Sequence, residues 1–384
     1  MINPFYKLWL TGFIAVSFLI SSAAAQTTFS KSDSGQPANS NNSSGPLSTP
    51  QSAVTSLASL PEADTLIYIS PQRILNEAAP KVMPSPELEK MRAAFFDLKR
   101  SVGVDPATID YLVIAVRFHK PASDLSFVPP DVMAVVGGDF SADSLVTLGR
   151  LSLQDKVRDE RYGSRTISLM RVDQIATAAE KMPMLKAFAE IGAVTLSGNS
   201  IAIGNLGYLK AAVDAADGNG RISATALASL LRNPNALVSA AGSPLSAFAK
   251  SFGLLGTETT PRDPRCDTRF GDFYTAVTME GSNFSLRGAM NADNPDTAKI
   301  INGLLSGLLQ QTIGSIPDKS AETVLKGLRM SPRESEVVLE ADIPGQAVAD
   351  FVRQQMKPTP TPATATEKPA AKRTLRKRRS IRKP

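Results

Sequence analysis

FYTAVTMEGSNFSLRGAMN, running from Phe273 to Asn291, reads as a β-hairpin whose register can be worked out from the residues alone. A two-residue turn at Gly281-Ser282, with glycine at the first central position, sets Glu280 opposite Asn283. Met279 then faces Phe284, Val277 faces Leu286 and Phe273 faces Met290. On the other side Thr278 meets Ser285 and Ala276 meets Arg287. One face is apolar and the other mostly polar, and a slip of one residue would mix the two sets. A helix is expected directly afterwards, with Asn294 as its N-cap, Pro295 at the first helical position and Asp296 in the first turn.

The same hairpin-then-helix unit recurs. At Val194 to Ile203 a Gly198-Asn199 turn sets Leu196 against Ile201 and Val194 against Ile203, and a helix continues from Asn205 through Leu209 and Val213 to Gly218. Tyr111 to Phe118 and Val132 to Val136 form a more continuously apolar pair, after which Ser141 or Asp143 caps a helix through Leu145 and Leu148. Leu328 to Met330 and Val337 to Ala341 form the last pair, followed by a helix containing Val348, Phe351 and Val352. Independently, Pro61, Ala63, Ser70 and Pro71 recur 173 residues later as Pro234, Ala236, Ser243 and Pro244. Each Ser-Pro offers an N-cap oxygen followed by a residue suited to the first helical turn, so each marks a strand passing into a helix. The expected fold class is α+β: two tandem similar halves, each an antiparallel sheet built from hairpin-then-helix units with helices packed on the sheet.

Residues 1–25 read as an export signal, with Lys7, the apolar run Leu8 to Ile20, and Ala23-Ala24-Ala25 before Gln26. The alternative is an uncleaved N-terminal membrane anchor. Residues 26–56 are rich in Ser, Asn, Gly, Pro and Gln and are expected to form a disordered linker, because they hold too little apolar surface to offset the entropy of ordering. The first half is expected over 57–232 and the second over 233–356, followed by a spacer and basic tail at 357–384. The chain's formal charge of +6 hides an asymmetry: the tail carries +9, and the body between signal and tail about −4. A high isoelectric point therefore reports the tail and not a nucleic-acid-binding fold.

The tail opens with a proline-rich spacer, expected to be extended. It ends with Lys372, Arg373, Arg376, Lys377, Arg378, Arg379, Arg382 and Lys383, with no aromatic residue among them to stack on bases. Such a tail suits an anionic envelope surface or another polyanion; the alternative is a solubilising tail without a particular partner. On the body, Gly256 to Asp272 is a long connection holding Arg262, Arg265, Cys266, Asp267 and Arg269, the first choice for a recognition loop. Its blander reading is a surface loop with internal ion pairs. Ile300 to Ile316 carries no charge and reads as a helix buried on several sides, with Gly303 and Gly307 allowing close approach of a sheet or another helix. The sharper reading is an apolar groove or a membrane-touching helix.

The inventory for chemistry is thin. His119 is the only histidine, expected at the surface of a loop, and Cys266 the only cysteine, so no intramolecular disulfide is available. No G-x-S-x-G elbow, P-loop or G-x-G-x-x-G after a strand occurs. No catalytic, cofactor or metal residue is assigned.

The segments LPEADTLIYISPQRILNEA (Leu60 to Ala78) and NPNALVSAAGSPLSAFAKSFGLLGTET (Asn233 to Thr259), with GDFYTAV and NADNPDTAKII downstream, resemble a family of uncharacterised exported bacterial proteins. The resemblance spans most of 57–356 and implies bacterial export, with no activity or site residue to carry over. The sequence as a whole points to an exported, non-catalytic binding or scaffold protein of the envelope. The alternative is a periplasmic carrier of a lipid or other apolar ligand held between sheet and helices.

Overall fold

The computed structural model describes residues 56–102, 105–119, 130–175, 188–243, 270–315 and 319–355. It is a mixed α+β structure. Its strands are β1 (Thr65–Ile69), β2 (Ile109–Arg117), β3 (Asp131–Gly138), β4 (Val157–Tyr162), β5 (Arg165–Arg171), β6 (Glu190–Ser197), β7 (Ser200–Gly204), β8 (Val238–Gly242), β9 (Phe270–Glu280), β10 (Asn283–Ala292), β11 (Arg329–Arg333) and β12 (Glu336–Ile343). They form one 12-stranded sheet in the order β11-β12-β10-β9-β8-β1-β2-β3-β7-β6-β5-β4, every neighbouring pair antiparallel.

The Phe273 hairpin has the register its alternation demands. Met279 pairs with Phe284, Val277 with Leu286, Thr278 with Ser285 and Phe273 with Met290. Gly281 turns at φ +61, a conformation that glycine adopts without a Cβ clash. Asn294 caps the next helix, Pro295–Ser315, by accepting from Thr297 N at 2.9 Å. Ser141 does the same for Ala142–Leu153.

Following the register across the sheet assigns two faces. One row runs Ala202, Val135, Val113, Tyr68, Ser239, Ala276, Arg287, Glu340; the row behind it runs Ile201, Val136, Leu112, Ile69, Val238, Val277, Leu286, Ala341. We call the face of the first row the front. Helix Leu206–Ala216 covers the front over β3, β7 and β6, burying Tyr208, Leu209, Ala212 and Val213 against Met133, Val135, Val194 and Ala202. Helix Gly345–Gln355 covers the back instead, its Val348, Ala349 and Val352 meeting Phe284, Ala341 and Ile343. The two helical layers thus lie on opposite faces at the two ends of the sheet. They overlap at its centre, where Leu66 and Tyr68 join the front core while Ile67 and Ile69 join the back. This double burial is why LIYI at Leu66 to Ile69 is uninterruptedly apolar.

At the centre β1 and β8 pair with Ile67 opposite Ala240. Ser70 N donates to Leu237 O at 2.9 Å, and reciprocally Ser243 N donates to Asp64 O at 2.7 Å.

Four expectations are corrected. In the Gly198-Asn199 hairpin Ser197 faces Ser200, but the register then shifts, so that Thr195 meets Ile201, Val194 meets Ala202 and Ala193 meets Ile203. Leu196 is the extra residue, a bulge that alternation counted from the turn cannot reveal. Arg165 Nη1 donates to Thr195 O at 2.8 Å and also to Leu196 O, holding both carbonyls at the irregularity. Second, Pro71 does begin a helix, but the Ser70 side chain makes no capping hydrogen bond. Third, Pro295–Ser315 is buried on one side only. Ala298 and Ile301 are closed against Val337, with Leu305, Met290 and Met330 around them, whereas Ile300 is 50 % and Leu304 54 % exposed. Its glycines face outward: among the described residues nothing lies within 4 Å of a Cβ built at Gly303 or Gly307, so they serve no close approach. Fourth, His119 is only partly a surface residue: its side chain is 38 % exposed and its Nε2 lies 2.8 Å from Asp131 Oδ2. The β4-β5 hairpin and the helix Ser85–Val102 had no counterpart in the sequence reading.

Among the described residues no helix is long and apolar enough to cross a membrane.

Candidate functional site

β2 ends, β3 begins and β7 ends at the same end of the sheet, because antiparallel pairing sets Arg117 opposite Asp131 and Met133 opposite Gly204. A partly buried polar cluster lies there. Asp131 is only 9 % exposed. Its Oδ2 accepts from Arg117 Nη2 at 2.6 Å and Nε at 3.2 Å, and His119 Nε2 lies 2.8 Å from the same oxygen. Its other oxygen accepts from Asn205 Nδ2. Asn205 Oδ1 in turn accepts from Val132 N at 3.0 Å, so this residue, expected to open a helix, ties that helix to β3 through its side chain.

Arg117 also stacks over the Tyr208 ring, its guanidinium carbon 4.7 Å from the centroid. Tyr208 O–H donates to Glu62 O at 2.9 Å. Burial pushes the Tyr208 phenol well above its usual range, partly offset by the Arg117 charge. Next to the cluster Phe118 N donates to Asp64 Oδ2 at 2.7 Å, joining the end of β2 to the residue before β1.

A buried carboxylate needs compensating donors, and here Arg117, His119 and Asn205 supply them. The arrangement binds the ends of β2, β3 and helix Leu206–Ala216 together. Its polar bonds join these elements end to end, as a clamp does. Among the described residues no group of three His, Cys, Asp or Glu could hold a metal ion. The sequence reading missed Arg117, Asp131 and Asn205. The signal available was the pairing of β2 with β3, which the long connection between them conceals, because it leaves the register of the two strands open.

The other charges of the body are mostly arranged in exposed pairs. On β4 and its neighbours Arg158 meets Glu160 and Glu190, and Lys210 meets Glu160. Glu160 is held below its usual range chiefly by Lys210, and Glu190 chiefly by Arg158. Arg158 and Glu160 stand on the edge strand β4, where they discourage pairing with a second chain. The opposite edge strand, β11, carries Arg329, Pro332 and Arg333 to the same effect.

The proposed recognition residues Arg262, Arg265, Cys266, Asp267 and Arg269 lie outside the described residues, as do Lys372, Arg373, Arg376, Lys377, Arg378, Arg379, Arg382 and Lys383 of the tail and residues 1–25, expected to be an export signal. The residues flanking the loop are described. Gly242 pairs with both Thr65 and Phe273, so the loop leaves from and returns to the end of the sheet that carries Asp131.

No family model matches the chain, and no curated protein matches it. Among solved structures, TP0453 in crystal form III is similar at 10 % identity with a TM-score of 0.41, the match covering 78 % of this chain and 97 % of that one. Crystal form I of the same protein gives 10 % identity and a TM-score of 0.38, covering 78 % of this chain and 96 % of that one. At those values nothing of TP0453 transfers to this chain.

Proposed function

We propose that the chain is an exported, non-catalytic binding or scaffold protein of the bacterial envelope, built from two similar halves joined edge to edge. The duplication is supported by the centre of the sheet. Ile67 and Ala240 face each other and stand 173 residues apart, the offset at which Pro61, Ala63, Ser70 and Pro71 recur in the sequence. The reciprocal bonds of Ser70 and Ser243 bear the same relation. Outward from that pair the strands run β2-β3-β7-β6 on one side and β9-β10-β12-β11 on the other. On this reading β4 and β5 extend the first half alone.

The observation that carries the scaffold reading is the packing beneath Pro295–Ser315. Ala298, Ile301 and Val337 are almost wholly buried against one another, as in a filled core and unlike the lining of a ligand chamber. The carrier reading draws on a different place: the back-face row Ile67, Ile114, Ala134, Ile203, an aliphatic stretch in which Ile203 remains 38 % exposed. Native mass spectrometry of the protein taken from its own envelope separates the two. A retained protein partner or a defined oligomer is the expected result. A small apolar adduct in its place would sink the scaffold reading in favour of the carrier.

A further inference from the structure

We infer that the chain contacts an anionic lipid surface with two elements acting together: the outward face of helix Pro295–Ser315 and the basic segment that follows Gln355. The inference rests on the envelope-binding reading and supplies its partner. Between Lys299 and Asp318 the sequence has no charge, and on the outward side of the helix Ile300, Gly303, Leu304 and Gly307 follow one another up successive turns. Ile300 and Leu304, each at least half exposed, stand one turn apart and form one apolar patch beyond the Asp296–Lys299 pair, whereas Phe96 and Leu151 are exposed singly on other helices. The helix is too polar to cross a bilayer, so the contact is one in the plane of the interface, with Ile300 and Leu304 entering among the head groups.

What identifies the occupant is where the chain continues. Helix Lys319–Lys326 packs against both Pro295–Ser315 and Gly345–Gln355, so all three form one layer on the back of the sheet. The chain leaves that layer at the end of Gly345–Gln355, and the sequence from Lys357 onward carries +9. Among the described side chains of the layer, Lys299 is paired with Asp296, Lys326 with Glu322 and Arg353 with Asp350. The attraction to negative charge therefore comes from the following segment, and the apolar insertion from Ile300 and Leu304. A single weak signal gives marginal, reversible membrane binding, whereas two together give stable association. A second copy of the chain would match the uncharged face but not the basic segment, since two tails of +9 repel.

The test uses the mature full-length chain with vesicles of phosphatidylcholine alone or with one-third phosphatidylglycerol. Three variants accompany it: a chain ending at Met356, Ile300→Gln/Leu304→Gln, and Leu304→Trp as a reporter, since the only native tryptophan lies in the export signal. Binding is expected on the anionic vesicles only, weakening steeply with added salt because exposed charges are screened within roughly 10 Å at 0.1 M. Truncation and the double Gln variant should each lower affinity by about tenfold or more, and the emission of the Leu304→Trp variant should shift to the blue on binding. The exposed positions leave folding intact, which thermal melts of the free proteins verify. Full affinity in the double Gln variant, or an unshifted emission from the bound Leu304→Trp reporter, would overturn the role of the helix. Self-association through this face without lipid would overturn the choice of partner. Failure to bind any vesicle while a protein partner is retained in native mass spectrometry would remove the lipid inference and leave the scaffold reading standing.

Discussion

Ala202 and Val338 are each the third residue of a strand that follows a hairpin turn, and both point to the front of the sheet, yet their surroundings differ. Ala202 is 0 % exposed beneath helix Leu206–Ala216, while Val338 is only partly buried and faces the same side as Arg287 and Glu340. The difference comes from which alternate set is apolar. In β12 the back-pointing residues are Val337, Leu339, Ala341 and Ile343, and the helix that follows folds onto them. In β7 the front-pointing Ser200, Ala202 and Gly204 are small, allowing Tyr208 and Leu209 to approach closely. Similar strand order can therefore coexist with helices on opposite faces, because the side-chain period of two lets either set become the inner one.

The sharpest way to break that comparison is to place a charge at both positions. Ala202→Asp leaves a carboxylate unpaired in the front core and should cost about 4 kcal/mol. Val338→Asp should cost under about 1 kcal/mol, since its partner Ser331 has Arg329 and Arg333 two places to either side. Urea melts of the two variants decide it. Equal losses would mean that a helix covers the front at both ends.

The Phe273 hairpin repeats the contrast within one pair of strands. Val277 packs into the back core and Thr278 meets Ser285 on the front. Val277→Asp is expected to lose about 3 kcal/mol and Thr278→Asp to be nearly silent. Matching losses in the two melts would show that the hairpin is buried on both faces at this level.

These cases also mark what was legible. The hairpin at Gly281-Ser282 could be read pair by pair because its turn is two residues long and its faces differ in polarity throughout. The hairpin at Gly198-Asn199 could be located but not registered, since Leu196 and Val194 are both apolar and nothing in the alternation reports that Leu196 is a bulge. β4, Val-Arg-Asp-Glu-Arg-Tyr, went unread because an edge strand covered in charges lacks the apolar alternation that announces a strand. Helix Pro295–Ser315 was recognised as a helix, but its apolar circumference suggested burial all round. Composition cannot distinguish a face that a neighbour covers from one that it leaves open. The Asp131 cluster depends on residues 117, 119, 131 and 205 meeting in space, which only the register of β2, β3 and β7 brings about.

A smaller effect is expected from the clamp itself. Asp131→Asn leaves Arg117 and His119 facing a neutral amide and should cost about 2 kcal/mol or more, as expected for removing one partner of a buried pair. Replacing both partners, in Arg117→Met/Asp131→Leu, should recover much of that loss. The double variant's urea midpoint is the measurement, and a further fall instead of a recovery would show that the charges contribute net stability.

The smallest expected difference sets a carboxylate on a central strand against one beside an edge strand, through pH. Asp110 on β2 has its pKa raised above 3.8 by burial and then by the charge of Asp139, with Gln72 opposing. Its contribution is therefore fully present below the unfolded value and is lost as pH rises through the folded one, because ionisation is less favourable in the fold than in the open chain. Asp342 on β12 has the opposite shift, lowered below 3.8 chiefly by its bond from Arg287 at 2.7 Å. Its contribution is present above the unfolded value and disappears as pH falls through the folded one. Asp110→Asn should accordingly raise the urea midpoint at neutral pH, and Asp342→Asn should lower it slightly, as befits an exposed pair. Both differences should shrink toward those of neutral substitutions once the medium is acid enough to protonate each carboxyl in the fold and in the unfolded chain. If the two variants moved the neutral-pH midpoint in the same direction, side-chain hydrogen bonding and not charge would govern both positions, and the distinction between a desolvated carboxylate in the first region and a paired one in the second would fail.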